Sequence, residues 1–137
     1  MGHQYGRSQA AVSIDAGNYE QAVASATQAI AGEPGYSEHY FERASALVNL
    51  ERYEEAAADF EKARSLDGES QVLEEDVVDD AYFSALLGAA RGQEVAAGCR
   101  TLERYHSQFP EGRHVSDVRD WQKRLRGELP SHFVKER

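Results

Sequence analysis

Apolar residues recur along this chain at spacings of three and four, and no stretch alternates apolar and polar residues over the length of a strand. Six or seven helices can be drawn. The first is expected from about Gln4 to Ala16, stopped by Gly17. Asn18 then stands as an N-cap, with Gln21 three residues on in a capping-box pattern. The second carries Ala22, Ala26, Ala29 and Ile30 on one face and ends near Gly32-Glu33-Pro34. Ser37 is placed to cap a third helix, Glu38 to Leu50, with Tyr40, Ala44, Leu47 and Val48 inward. A fourth runs from about Tyr53 to Leu66, with Ala56, Phe60 and Ala63 inward, and Gly68 closes it. Ser70 can cap a fifth that ends at Gly92. A sixth, about Glu94 to Gln108, carries Ala97, Leu102 and Tyr105 and stops before Pro110. The last, about His114 to Arg126, shows Val118, Trp121 and Leu125 as a stripe. The expected fold class is all-α.

The segments also repeat. Tyr19 matches Tyr53, Glu20 matches Glu54, Ala22 matches Ala56, Ala24 matches Ala58 and Ala29 matches Ala63, every pair 34 residues apart. Upstream, Ala10 matches Ala44 and Ile14 parallels Val48 at the same offset. A helix-turn-helix unit with that period resembles the tetratricopeptide repeat. Tyr40, Ala44, Leu47, Tyr53, Ala56, Phe60 and Ala63 stand at that family's small and aromatic positions, with Gly68 where its Pro is usual. Ala10, Tyr19, Ala22, Ala29 and Pro34 fit in the first unit; Gly6, Gln9, Ser13 and Ala26 depart from the pattern. The resemblance implies an antiparallel helix-pair solenoid filling a single domain, 1–137. Its parts would be repeat 1 at 4–35 with a degenerate first helix, repeat 2 at 36–69, repeat 3 at 70–110, a capping helix at 113–127 and a tail at 128–137.

The third unit is irregular. Gly92 is read as the turn equivalent to Glu51, 41 residues on, seven more than the period. One reading is a single helix from about Gln71 to Arg91, lengthened by two turns. The other is an acidic loop from Asp67 to Asp80 followed by an ordinary helix. The apolar Val72, Leu73, Val77 and Val78 favour the long helix. Phe109-Pro110-Glu111-Gly112 resembles the repeat ends of bacterial scaffold proteins of the family.

Charge changes the picture next. Residues 1–80 hold 5 Lys/Arg against 17 Asp/Glu, a balance of −12, and residues 81–137 hold 10 against 7, a balance of +3. A chain with net charge −9 is a poor match for a nucleic-acid backbone. With 41% hydrophobic and 28% charged residues it should fold. One Cys leaves no internal disulfide framework, and Cys99 falls at a core position. The five His residues lack metal-ligand spacing, and no nucleophile, phosphate-loop or metalloprotease motif is present. No enzyme, cofactor or metal is therefore expected. No apolar run is long enough for a membrane span, and Met1-Gly2 lacks the residue at position 6 that myristoylation favours, so a cytoplasmic setting is expected. Arg outnumbers Lys 12 to 3, a composition common in GC-rich bacteria.

The resemblance further implies function. In this family the first helix of each repeat lines a concave groove for a partner peptide or helix. Position by position, that groove would be lined by Arg7, Glu38, Phe41, Glu42, Ser45, Asn49, Phe83, Leu87 and Arg91, with Ser8 and Ala11 beside Arg7. Phe41 and Phe83 are either groove aromatics or contacts to a neighbouring helix. The set that holds a C-terminal carboxylate in chaperone cofactors is not reproduced, since Glu42 and Ala11 stand where it needs Asn. The expected role is an adaptor or scaffold, chaperone-like in mode, for a basic or amphipathic segment. The alternative is a self-assembling homo-oligomer whose acidic front meets the basic Arg113, Arg119, Lys123, Arg124 and Arg126 of the next copy.

Overall fold

Ser8 decides where the first helix begins. Its side chain accepts a hydrogen bond from the Ala11 backbone N–H at 3.0 Å and caps α1, Gln9–Asp15; the expected helical residues from about Gln4 to Arg7 lie outside the described residues. In the computed structural model, residues 8–68 and 73–128 are described. Six more helices follow: α2 Tyr19–Gly32, α3 Ser37–Asn49, α4 Tyr53–Asp67, α5 Glu75–Arg91, α6 Val95–Gln108 and α7 Val115–Leu125. The described residues contain no strand. The chain forms two compact units that divide between Glu75 and Asp76.

Two expected caps are not made. Asn18 occupies the N-cap position of α2 without a side-chain cap bond, and Gln21 donates to Ser25 Oγ instead of reaching back. Ser37 lies inside α3, with Tyr36 at the cap position. The Ser37 hydroxyl is buried and donates to Asp67 at 3.3 Å, joining the start of α3 to the end of α4. Ser70, another expected cap, lies outside the described residues.

In the first unit α1 packs on α2, α2 on α3 and α3 on α4. Ala22, Ala26, Ala44, Ala46, Ala56, Ala57 and Ala63 are fully buried where these helices meet. Small side chains let backbones approach without leaving voids. Phe60 on α4 is also buried, its ring edge-on to Phe41 of α3. Arg43 crosses from α3 to α4 as a two-pronged bond to Asp59, at 2.7 and 2.9 Å, and this bond pushes its basicity up. In the second unit Tyr82, Leu86, Leu102, Tyr105 and Val118 form the interior.

The turns show the repeat in backbone form. Gly17 and Glu51 both take left-handed conformations, φ 80° and 60°. Asn18 N–H donates to Ser13 C=O at 2.8 Å, and Arg52 N–H to Leu47 C=O at 2.9 Å. These bonds reach back five residues, closing each helix in the Schellman manner. Gly92 does not join them. There Gln93 N–H reaches back only three residues, to Ala90 C=O.

Helix starts therefore give a different offset for the third unit. Tyr19 to Tyr53 is 34 residues, but Tyr53 to Val95 is 42, not 41. With that register, buried Ala22, Ala56 and Gly98 share one position, as do Ala26, Phe60 and Leu102. The eight-residue excess is divided. α5 has 17 residues against 13 in α3, one extra turn; of the other four, three lie in the connection before it and one in α4, which has 15 residues against 14 in α2. Leu73 and Glu74 precede the helix, so the expected start at Gln71 and the expected loop to Asp80 are both replaced by a start at Glu75.

Candidate functional site

The expected groove residues fall into two groups, one in each unit. On α3, Glu38, Phe41, Glu42, Ser45 and Asn49 follow helical spacing along one face. The opposite face buries Ala44 and Leu47. Glu38, Phe41, Glu42 and Ser45 are half-buried and Asn49 is exposed. Ser45 donates to Phe41 C=O and Asn49 to Ser45 C=O, both at 3.0 Å, so these polar groups cover their own helix. Phe41 stands edge-on to Phe60, ring centres 5.6 Å apart. It contacts the neighbouring helix and still keeps part of its ring open.

Glu42 connects this face to α1. Ser8 Oγ donates to its carboxylate at 2.9 Å, 34 residues away in sequence. Ala11 is half-buried on α1, and Arg7 lies outside the described residues. Glu38 acts on Tyr36: its charge, then its hydrogen bond, raise the phenol above its ordinary pKa.

The second unit corrects two expectations. Phe83 is 4% exposed, so it is not an open groove aromatic. Its ring lies flat on His114, 4.3 Å away with planes 2° apart, and edge-on to Tyr105. Leu87 is also buried. Helical register places both on the expected face but does not reveal that these positions are buried. Arg91 is exposed, but its guanidinium sits over Trp121 at 5.2 Å, and Arg124 covers the same ring at 4.4 Å.

What covers Phe83 is a polar clamp that spacing alone does not reveal. His114 Nε2 lies 2.7 Å from Asp80 and Nδ1 lies 2.9 Å from Asp117. Tyr105 donates its hydroxyl to Asp79 and accepts from the His114 N–H at 2.9 Å. Asp79 also accepts the Arg113 N–H at 3.1 Å, and the Arg113 guanidinium stands 3.4 Å from Asp80. Burial, then the bond to Asp79, holds the Tyr105 phenol well above its ordinary pKa. One ligand atom each from Asp79, Asp80 and His114 lies within 4.8 Å of the others, the span a metal ion could bridge. Protein donors already take these oxygens, and Arg113 brings a positive charge, so the group works as a clamp. Cys99, expected in the core, is only half-buried, and its Sγ lies 3.8 Å from Gln122 C=O on α7.

The matches with known proteins agree with this geometry. Residues 38–70 match the tetratricopeptide repeat family. The matched segment spans the α3–α4 helix pair, so the chain contains a tetratricopeptide repeat there. A DnaJ homolog subfamily C member 7 homolog of Dictyostelium discoideum is 32% identical over 77 residues, 56% of this chain. The chain spans only 14% of that relative's length. Among solved structures, the second TPR domain of human RPAP3, in complex with the HSP70 peptide SGPTIEEVD, superposes with a TM-score of 0.57 at 19% identity. That match covers 86% of this chain and 89% of the other. The Arabidopsis OM64 TPR domain gives 0.57 at 18% identity, covering 88% and 91%. The TPR2B domain of yeast Sti1, in complex with an Hsp70 peptide, gives 0.53 at 19%, covering 88% and 93%. These similarities show the all-α helical-repeat fold. Among the described residues, no helix is long and apolar enough to cross a membrane.

Proposed function

We propose that this tetratricopeptide-repeat chain is a non-catalytic adaptor that holds a basic or amphipathic segment of another protein against the outer face of α3. The observation that carries the reading is the half-buried Phe41 on the α3 face that also carries Glu38 and Glu42. An aromatic with acidic neighbours offers apolar area and charge to a cationic, partly apolar segment. Two of the structural neighbours hold Hsp70 peptides, which supports a protein-binding role. The peptide on the RPAP3 domain ends Glu-Glu-Val-Asp, whose charge the Glu38–Glu42 face should repel.

Fluorescence anisotropy with two labelled peptides tests this. SGPTIKKVK should bind, SGPTIEEVD should bind at least tenfold more weakly, and Phe41→Ala/Glu42→Lys should abolish the preference. Equal affinity for both peptides, or a preference that survives the double variant, would refute it.

Self-assembly is the second reading. Arg119 and Lys123 are exposed on α7, while Glu54 and Glu55 are exposed at the start of α4. Sedimentation velocity should then show oligomers that dissociate as salt rises. A monomer at low salt removes this reading.

A further inference from the structure

A cavity of about 560 Å³ opens in the first unit. Gln21, Ser25 and Gln28 of α2 line it, with Glu33 just beyond that helix and His39 and Glu42 of α3. The described residues around it include two carboxylates and no Lys or Arg.

His39 gives this cavity its chemistry. The residue is 8% exposed, and its Nε2 lies 2.8 Å from Glu33 Oε1. An ionised carboxylate only accepts, so Nε2 is the donor to Glu33, and in the tautomer that carries its proton there Nδ1 is left as an acceptor. That Nδ1 is buried and has no hydrogen-bond partner. A buried acceptor without a donor is costly, so its place beside a polar cavity points to a donor that is to be supplied. The rest of the lining is also rich in acceptors: the carboxylates of Glu33 and Glu42 and the amide oxygens of Gln21 and Gln28.

We propose that this cavity is a subsite for a guanidinium, namely an arginine side chain of the partner segment that rests on α3. This deepens the adaptor reading and shares Glu42 with it. A guanidinium has five N–H donors in a plane, no acceptor and a permanent charge, which suits acceptors spread around a cavity better than a point-like ammonium. The arginine, or a water held beside it, supplies His39 Nδ1 with its missing donor. A cavity of this size takes the guanidinium with its methylene stem and accompanying water.

The test needs no partner protein. N-acetyl-arginine amide is titrated into the ¹⁵N-labelled full chain and followed by NMR. Saturable shifts are expected at Ser25, Gln28, His39 and Glu42. N-acetyl-citrulline amide, the neutral isostere, should bind at least fivefold more weakly, and N-acetyl-lysine amide should also be weaker. Glu42→Gln, which keeps an acceptor for Ser8, should weaken arginine binding at least threefold, and Gln28→Glu should strengthen it. Shifts that do not saturate overturn the proposal, as does citrulline or lysine binding as tightly as arginine. So does a Glu42→Gln variant that binds unchanged. Phe41→Ala should leave arginine-amide binding intact, so failure of the α3 peptide face and failure of this cavity give different results.

Discussion

Single methyl groups decide much of the packing in the second unit. A Cβ added to Gly98 would come 2.8 Å from the Ala90 carbonyl oxygen, on the backbone of α5. One added to Gly112 would overlap the Tyr105 hydroxyl, which is held by both Asp79 and the His114 N–H. Gly98→Ala should cost about 1–3 kcal/mol through overpacking, read as a lower midpoint in urea. Glu51 is the opposite case. It takes the left-handed conformation that Gly17 takes at the equivalent turn. Glu51→Gly should raise stability by about 1 kcal/mol, and an unchanged or lower midpoint would show that its backbone is not strained. Tyr105 adds a pH dependence. Its phenol pKa is raised in the folded state, so its contribution is complete below the unfolded value of about 10 and is lost as pH rises beyond that. Chemical unfolding at about pH 8 and pH 10.5 should show a loss that Tyr105→Phe reduces.

At the scale of elements, α7 is secured by more than its apolar stripe. Val118 and Trp121 are buried as the stripe pattern requires. His114, just before the helix, bridges Asp80 on α5 to Asp117 on α7 while its ring covers Phe83. His114→Ala should destabilise by about 2 kcal/mol and speed hydrogen exchange in α7 before the rest of the second unit. Uniform exchange across α5, α6 and α7 would show no local role for the bridge. In the first unit Ala56 is fully buried, so Ala56→Leu should cost about 1–3 kcal/mol in a thermal or chemical melt. These elements were legible to different degrees. Helix α4 and its buried Ala56, Phe60 and Ala63 follow from local periodicity. The start of α5 does not, because one extra turn and a longer connection add the same number of residues to the sequence.

At the scale of the whole molecule, charge governs what can approach. Residues 1–75, the first unit, hold 5 Lys/Arg against 14 Asp/Glu, and this balance of −9 should steer cationic segments toward that unit. Association of SGPTIKKVK should therefore slow markedly between about 0.05 and 0.5 M salt, while dissociation changes less. A salt-independent association rate in stopped flow would remove steering from the account.

The amino-acid sequence by itself determined the helical class, the 34-residue repeat and the close-packing role of Ala22, Ala56 and Ala63. Spacing along a helix is a local property that one chain carries in full. Other features were decided only by tertiary structure. His114 meets Asp80 across 34 residues, Glu33 leaves His39 with an unpartnered nitrogen beside a cavity, and Phe83 disappears beneath an imidazole. Helical register tells which face a side chain is on. Whether that face meets water or another segment depends on residues far away in sequence, brought there by packing of the whole unit.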